Sequence, residues 1–184
     1  MATRYRFGDS SYPHFITYSV VNWIDALSRP IYKDIVVKSL GFCIREKGLI
    51  LHAWVIMNNH VHLIASAQDG YKLENIMRDH KKFTAIELLT AIKENNGESR
   101  RSWMLWLFAA AGKQNPNNVN NQFWQQDNHP IQLTTPDVAM QKLNYIHNNP
   151  VRAGIVVEPQ HYVYSSAVDY SSKLKGLLPV VHLF

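Results

Sequence analysis

The chain has 184 residues, 46% of them hydrophobic, which suits one globular domain with a substantial core. Cys43 is the only cysteine, which excludes an intramolecular disulfide and a Cys-based zinc centre, and no stretch approaches the roughly 18 apolar residues that span a bilayer. The formal charge of +5 and pI near 9.3 permit a nucleic-acid partner without requiring one, and the opening MATRYRFGDSSYPHF lacks a signal-peptide core, so a cytoplasmic protein with no membrane partner is expected.

From Tyr12 to Trp23 the β-branched and aromatic content predicts a first strand, broken by Asp25 and Arg29-Pro30. Ile31, Ile35, Val36, Leu40 and Cys43 or Ile44 recur at helical spacing up to about Lys47, and Gly48 is placed to end that helix. HAWVIMNNHVHLIASA, His52 to Ala67, then reads as two apolar strands joined at Asn58-Asn59, residues suited to a tight turn. Successive strand side chains point to opposite faces, so His60 and His62 project from one face as a ready pair of metal ligands. A structural or zinc role is the alternative for this pair.

A second long helix is expected from about Lys72 to Glu94, with Asn95-Asn96-Gly97 as its stop. Arg78, Lys81 and Lys82 form one positive ridge on it. Such a trio usually means a solvated face; beside a phosphate-binding site it would track a DNA backbone. Trp103 to Ala111 is nine apolar residues in succession, too short for a membrane span and too apolar for a free surface helix, so it must pack on the body or on a second copy. Gly112 to Gln122 is the clearest loop, and Phe123-Trp124 and Ile131 to Leu133 are candidate short strands.

Thr135-Pro136-Asp137 supplies a cap, a first-turn proline and a first-turn acid for a helix expected to run to Asn149 and stop at Pro150. Ala139, Leu143 and Ile146 form its apolar stripe, and Tyr145 falls roughly 130° from the stripe's centre. Asn149 shares that flank, so a phenol and an amide oxygen would face one spot. Packing of Tyr145 and capping by Asn149 are the plainer readings. A serine pair at Ser165-Ser166 starts a last helix, and LLPVVHLF is expected to pack back on the body. The order strand, helix, strand, strand, helix suits an α+β fold of ferredoxin-like type, an antiparallel sheet with helices packed on one face.

From about Tyr12 to Tyr170 the sequence resembles the single-tyrosine transposases of the HUH nuclease superfamily, and among them the REP-associated tyrosine transposases. HAWVIMNNHVHLI and LNYIHNNPVRAGIV carry the resemblance, with support from RDHKKFT, FWQQDNHPIQL and YVYSSAVDY. By resemblance His60 and His62 are metal ligands, Asn149 is the third, and Tyr145 is the nucleophile. The resemblance implies one catalytic domain over 1–184 with an insert at about 95–122, a Mg²⁺ or Mn²⁺ cofactor, single-stranded or hairpin DNA as partner, and a homodimer. It also implies cleavage through a 5′-phosphotyrosine. By its charge and its place just beyond the tyrosine helix, Arg152 would join Arg78, Lys81 and Lys82 on the DNA backbone. The alternative is a domesticated module that binds hairpin DNA or RNA without cutting; a metallohydrolase using activated water is more distant. His129 and His147 lie near the site residues in sequence, but lone histidines are more often structural.

Overall fold

The computed structural model describes residues 7–115, 120–126, 129–171 and 174–184. Parts of the expected loop at 112–122 and of QQDNHP, residues 116–119 and 127–128, lie outside the described residues. β2 (Leu49–Ile56) and β3 (His60–Ala67) pair antiparallel across Met57-Asn58-Asn59, as the turn residues predict. The turn is fastened from outside: the Asn58 carbonyl accepts from the Leu27 N–H and the Asn59 carbonyl from the Val20 N–H, both at 2.8 Å.

β1 (His14–Ser19) pairs with the other edge of β3, setting Thr17 opposite His62 and Ser19 opposite His60. This strand is shorter than expected. Val20 and Val21 donate their N–H groups to the Asn59 and Phe123 carbonyls instead of to the sheet, and Val21–Trp23 close into a 3-10 turn. Strand-forming composition is overridden there by partners distant in sequence. β4 (Ile131–Gln132) adds to the free edge of β1, giving the antiparallel order β2-β3-β1-β4. With α1 (Pro30–Glu46) between β1 and β2, and α2 (Leu73–Glu94) between β3 and β4, this is the expected α+β, ferredoxin-like arrangement.

α1 and α2 pack on one face of the sheet. Ile16, Tyr18, Trp54, Val61 and Leu63 meet Val36, Leu40, Met77 and Leu88 there in one buried cluster. Within α3 (Arg101–Lys113) the apolar run sinks Met104, Phe108 and Ala111 into that cluster and leaves Trp103 and Trp106 exposed. The opposite face carries a second apolar row, Phe15, Ala53, Val55 and Ile64, and this row needs its own cover. α4 (Pro136–Arg152) supplies it with Ala139, Leu143 and Ile146, a layer that the expectation of helices on one face left out.

The Thr135 hydroxyl caps α4 by accepting from the Val138 N–H. The helix does not stop before Pro150, as expected; it continues to Arg152. A proline so near the end removes only one intrahelical donor, and the chain closes beyond it with the Ala153 N–H on the Asn149 carbonyl and Gly154 at φ 70°. α5 (Ala167–Ser171) begins after Ser165-Ser166 as expected. The apolar tail returns to the body, with Leu178 buried and the Val181 N–H on the Leu51 carbonyl at 2.9 Å.

Candidate functional site

The period of β3 turns His60 and His62 to the face covered by α4, with ring centroids 4.7 Å apart. Each ring is held by its Nδ1, His60 by the Asn59 amide oxygen and His62 by the Thr17 hydroxyl, both at 2.7 Å. An amide oxygen only accepts, so His60 carries its proton on Nδ1 and leaves the lone pair on Nε2. Nε2 of His62 is buried and has no hydrogen-bond partner among the described residues. Burial keeps both rings neutral. It takes His62 down to about 3, helped by His60 and Lys142; it lowers His60 as well, opposed by hydrogen bonding to Asn149 and by the Asp25 charge. Neutral imidazoles anchored at Nδ1 are the form in which histidine binds metals.

α4 is docked against this pair. Tyr145 meets His62 edge-on at 5.2 Å between centroids and Phe15 at 5.9 Å, and it remains 38% exposed at the mouth of a cleft of about 740 Å³. One turn on, Asn149 reaches His60. The same helical flank brings two cations: the Lys142 ammonium lies 4.8 Å from the Phe15 ring centroid and 6.0 Å from that of Tyr145, and the Arg152 guanidinium lies 5.8 Å from the latter. Residues 142, 145, 149 and 152 recur at steps of three and four, so one stripe carries all of them. Lys142 was not singled out from the sequence, although its place three residues before Tyr145 was the signal. Trp23, Thr17 and His129 also border the cleft.

Among the described residues no three of His, Cys, Asp and Glu assemble as a metal-binding group. Beside the two imidazoles stands the Asn149 amide, within hydrogen-bonding reach of His60. Such a mixed nitrogen and oxygen set, open to the cleft, fits a divalent ion that keeps positions for phosphate and water better than it fits closed structural zinc.

Arg78, Lys81 and Lys82 do not line this cleft. They ride on α2, across the sheet from α4. Arg78 pairs with Asp79 at 2.9 Å, and the Lys81 ammonium binds the Gln125 and Gln126 carbonyls at 2.8 and 3.3 Å. His147 is turned away from the cleft as its position on the helix predicts, with Nε2 on the Ser166 hydroxyl at 3.0 Å.

Residues 25–111 match the model of a family described as transposase, IS200 like. Over this stretch the chain resembles the IS200-like transposases. It holds the histidine hairpin, and it ends before the tyrosine helix. The IS200-like match supports a transposase class of function. A solved structure of a REP-associated tyrosine transposase bound to a REP hairpin superposes on all of this chain and 94% of that one, with a TM-score of 0.62 at 16% identity. The likeness at that identity is one of fold. A presumed transposase from Deinococcus radiodurans aligns with 80% of this chain and 95% of its own at 16% identity, with a TM-score of 0.45. Among curated proteins none matches the sequence.

Proposed function

We propose that the protein is a DNA strand transferase that cuts and rejoins single-stranded DNA beside a hairpin, with Tyr145 as nucleophile and His60, His62 and Asn149 as metal ligands. The observation that carries this reading is the edge-on approach of Tyr145 to His62, whose buried Nε2 has no hydrogen-bond partner among the described residues. In the reaction the Tyr145 oxygen attacks the scissile phosphorus and loses its proton to solvent. A bond forms between phosphorus and the phenolic oxygen as the bond to the leaving 3′-oxygen breaks, and that oxygen takes up a proton. The covalent 5′-phosphotyrosine conserves the energy of the broken bond, so a 3′-hydroxyl can reverse the step without a nucleotide cofactor.

A tyrosine has a reference pKa of about 10 and is a weak nucleophile at neutral pH. Mg²⁺ or Mn²⁺ held by the three ligands would draw charge from a nonbridging phosphate oxygen. Lys142 and Arg152 flank the nucleophile and neutralise the neighbouring phosphates, and Phe15 and His62 keep the phenol from turning away. DNA in this cleft is thus held by α4, and Arg78, Lys81 and Lys82 would serve only strand that wraps to the sheet's other face. The homodimer implied by the resemblance belongs to the same proposal, with the exposed Trp103 and Trp106 side of α3 as its candidate contact.

The REP hairpin bound by the structural neighbour makes hairpin DNA with a single-stranded flank the first probe. Incubation with Mn²⁺ followed by denaturing electrophoresis is expected to give a covalent protein–DNA adduct that disappears in Tyr145→Phe. Hairpin binding without an adduct under either metal would leave the non-cleaving module; cleavage that survives Tyr145→Phe would replace tyrosine by water as nucleophile.

A further inference from the structure

The segment between β1 and α1 sinks its apolar residues into the protein with one exception. Val20, Val21, Ile24, Ala26 and Leu27 are all buried, yet Trp23, the largest apolar residue among them, is 58% exposed. Its indole borders the cleft and stands edge-on to His60 with 6.0 Å between centroids. The backbone that holds it there is unusual, since Asn22 and Trp23 both adopt left-handed conformations, φ 54° and 55°. Asparagine tolerates that region; a bulky aromatic rarely enters it. Hydrophobic packing does not account for a strained backbone that leaves the indole exposed.

The turn is rigidly tied to the histidine pair. The Asn59 side chain whose oxygen orients His60 donates from its nitrogen to the Trp23 carbonyl at 3.3 Å and to the Asp25 carboxylate at 2.8 Å. One amide therefore bonds both the Nδ1 of His60 and the backbone carbonyl of Trp23. Lys142 and Arg152, which suit phosphates, line the same cleft. An exposed, fixed aromatic face beside a phosphate-binding site suits the other half of a nucleotide, because every base offers a π-face for stacking and none requires sequence readout.

We propose that Trp23 is the stacking platform for the nucleobase next to the scissile phosphate, a base subsite that holds the strand on the side of the cleft away from Tyr145. The proposal rests on the single-stranded DNA reading above, but its test does not require cleavage. Labelled oligothymidylate and an abasic strand of equal length carry the same phosphates, and only the first carries bases. Their affinities are measured by fluorescence anisotropy in chelator, for the wild type, Trp23→Phe and Trp23→Ala. The wild type is expected to prefer oligothymidylate by roughly tenfold or more. Trp23→Ala should bind it as weakly as the wild type binds the abasic strand, with abasic affinity unchanged, and Trp23→Phe should keep most of the preference.

Equal affinity of the wild type for the two strands, or a preference that survives Trp23→Ala, overturns the proposal. Loss of oligothymidylate and abasic affinity together in Trp23→Ala also overturns it, because the residue would then be supporting the fold. The two readings fail separately. A Trp23-dependent preference in a protein that forms no Tyr145 adduct removes the nuclease chemistry alone; an adduct formed without that preference removes the base subsite alone.

Discussion

Thr17 sits directly across the β1–β3 ladder from His62, and its hydroxyl is the partner of a ring that burial holds well below its ordinary pKa. Replacing it with valine keeps the shape but leaves Nδ1 of His62 unpaired inside the protein. Thr17→Val is therefore expected to lower stability by about 1–3 kcal/mol and, by freeing the ring's tautomer and orientation, to weaken Mn²⁺ binding roughly 10–100-fold. Calorimetric titration with Mn²⁺ and urea unfolding read the two effects. Thr17→Ser should restore both, and an equal loss in the serine and valine variants would assign the effect to packing instead. At this scale the strand period put His60 and His62 on one face and a step of four put Tyr145 and Asn149 on one flank, while the roles proposed for them came from the resemblance and not from spacing. Thr17 was not legible. Its role depends on strand register, which no local pattern encodes. Trp23 escaped for a related reason: read as the end of a strand, it had no turn to lift it out of the core.

The elements show where sequence periodicity runs out. Spacing correctly grouped Arg78, Lys81 and Lys82 into one ridge on α2, and it grouped Tyr145 with Asn149 on α4. It carries no information about which face of a sheet each helix covers, and that choice separates the ridge from the cleft. The decisive signal was the second apolar row in the strands, Phe15, Ala53, Val55 and Ile64, partly obscured by the register shift between Leu51 and Ala53. Pro150 misled in another way, since a proline rule written for helix interiors ended α4 one residue before the turn that presents Arg152. Because Lys142 and Arg152 share the flank of Tyr145, each neutralises phosphate in the proposed complex. Plots of log affinity against log salt for hairpin DNA with a single-stranded flank should lose about 0.7 in slope for Lys142→Ala and for Arg152→Ala. Lys82→Ala, on the far face, should leave the slope unchanged. A larger loss for Lys82→Ala than for Arg152→Ala would move the DNA track to α2.

Across the whole molecule two buried histidines tie the helix layers to the sheet, one on each side. His80 on α2 bonds the Tyr18 hydroxyl of β1 at 2.7 Å and the Ser39 hydroxyl of α1 at 2.8 Å. His147 on α4 bonds the Ser166 hydroxyl, which also accepts the Trp54 N–H of β2 at 2.9 Å. Burial lowers His80 to about 3, with a further push from Lys81, and His147 to about 4, both from 6.5. Below 6.5 the unfolded chain takes up protons that these rings refuse when folded. Their contribution to stability is thus complete above pH 6.5 and is lost as pH falls toward 4 and 3. By pH 5 each costs on the order of 2 kcal/mol, about 4 kcal/mol together, against a net stability of roughly 5–15 kcal/mol for an ordinary domain. His14 and His52 shift in the same direction, also through burial. Glu98 works at lower pH: burial raises it, but hydrogen bonds from Arg100 and Arg29 prevail and bring it from 4.5 to about 2, so its contribution persists until pH falls below 4.5. Urea unfolding between pH 7 and pH 5 should therefore show a steep loss of stability before any carboxylate is involved. His80→Gln keeps a donor and an acceptor for Tyr18 and Ser39 but does not titrate, and it should flatten the profile by at most about a third, because His62 and His147 carry comparable shifts. A wild-type stability that stays level from pH 7 to pH 5 would mean that these rings are not held neutral, and that acid does not loosen the two helix layers from the sheet.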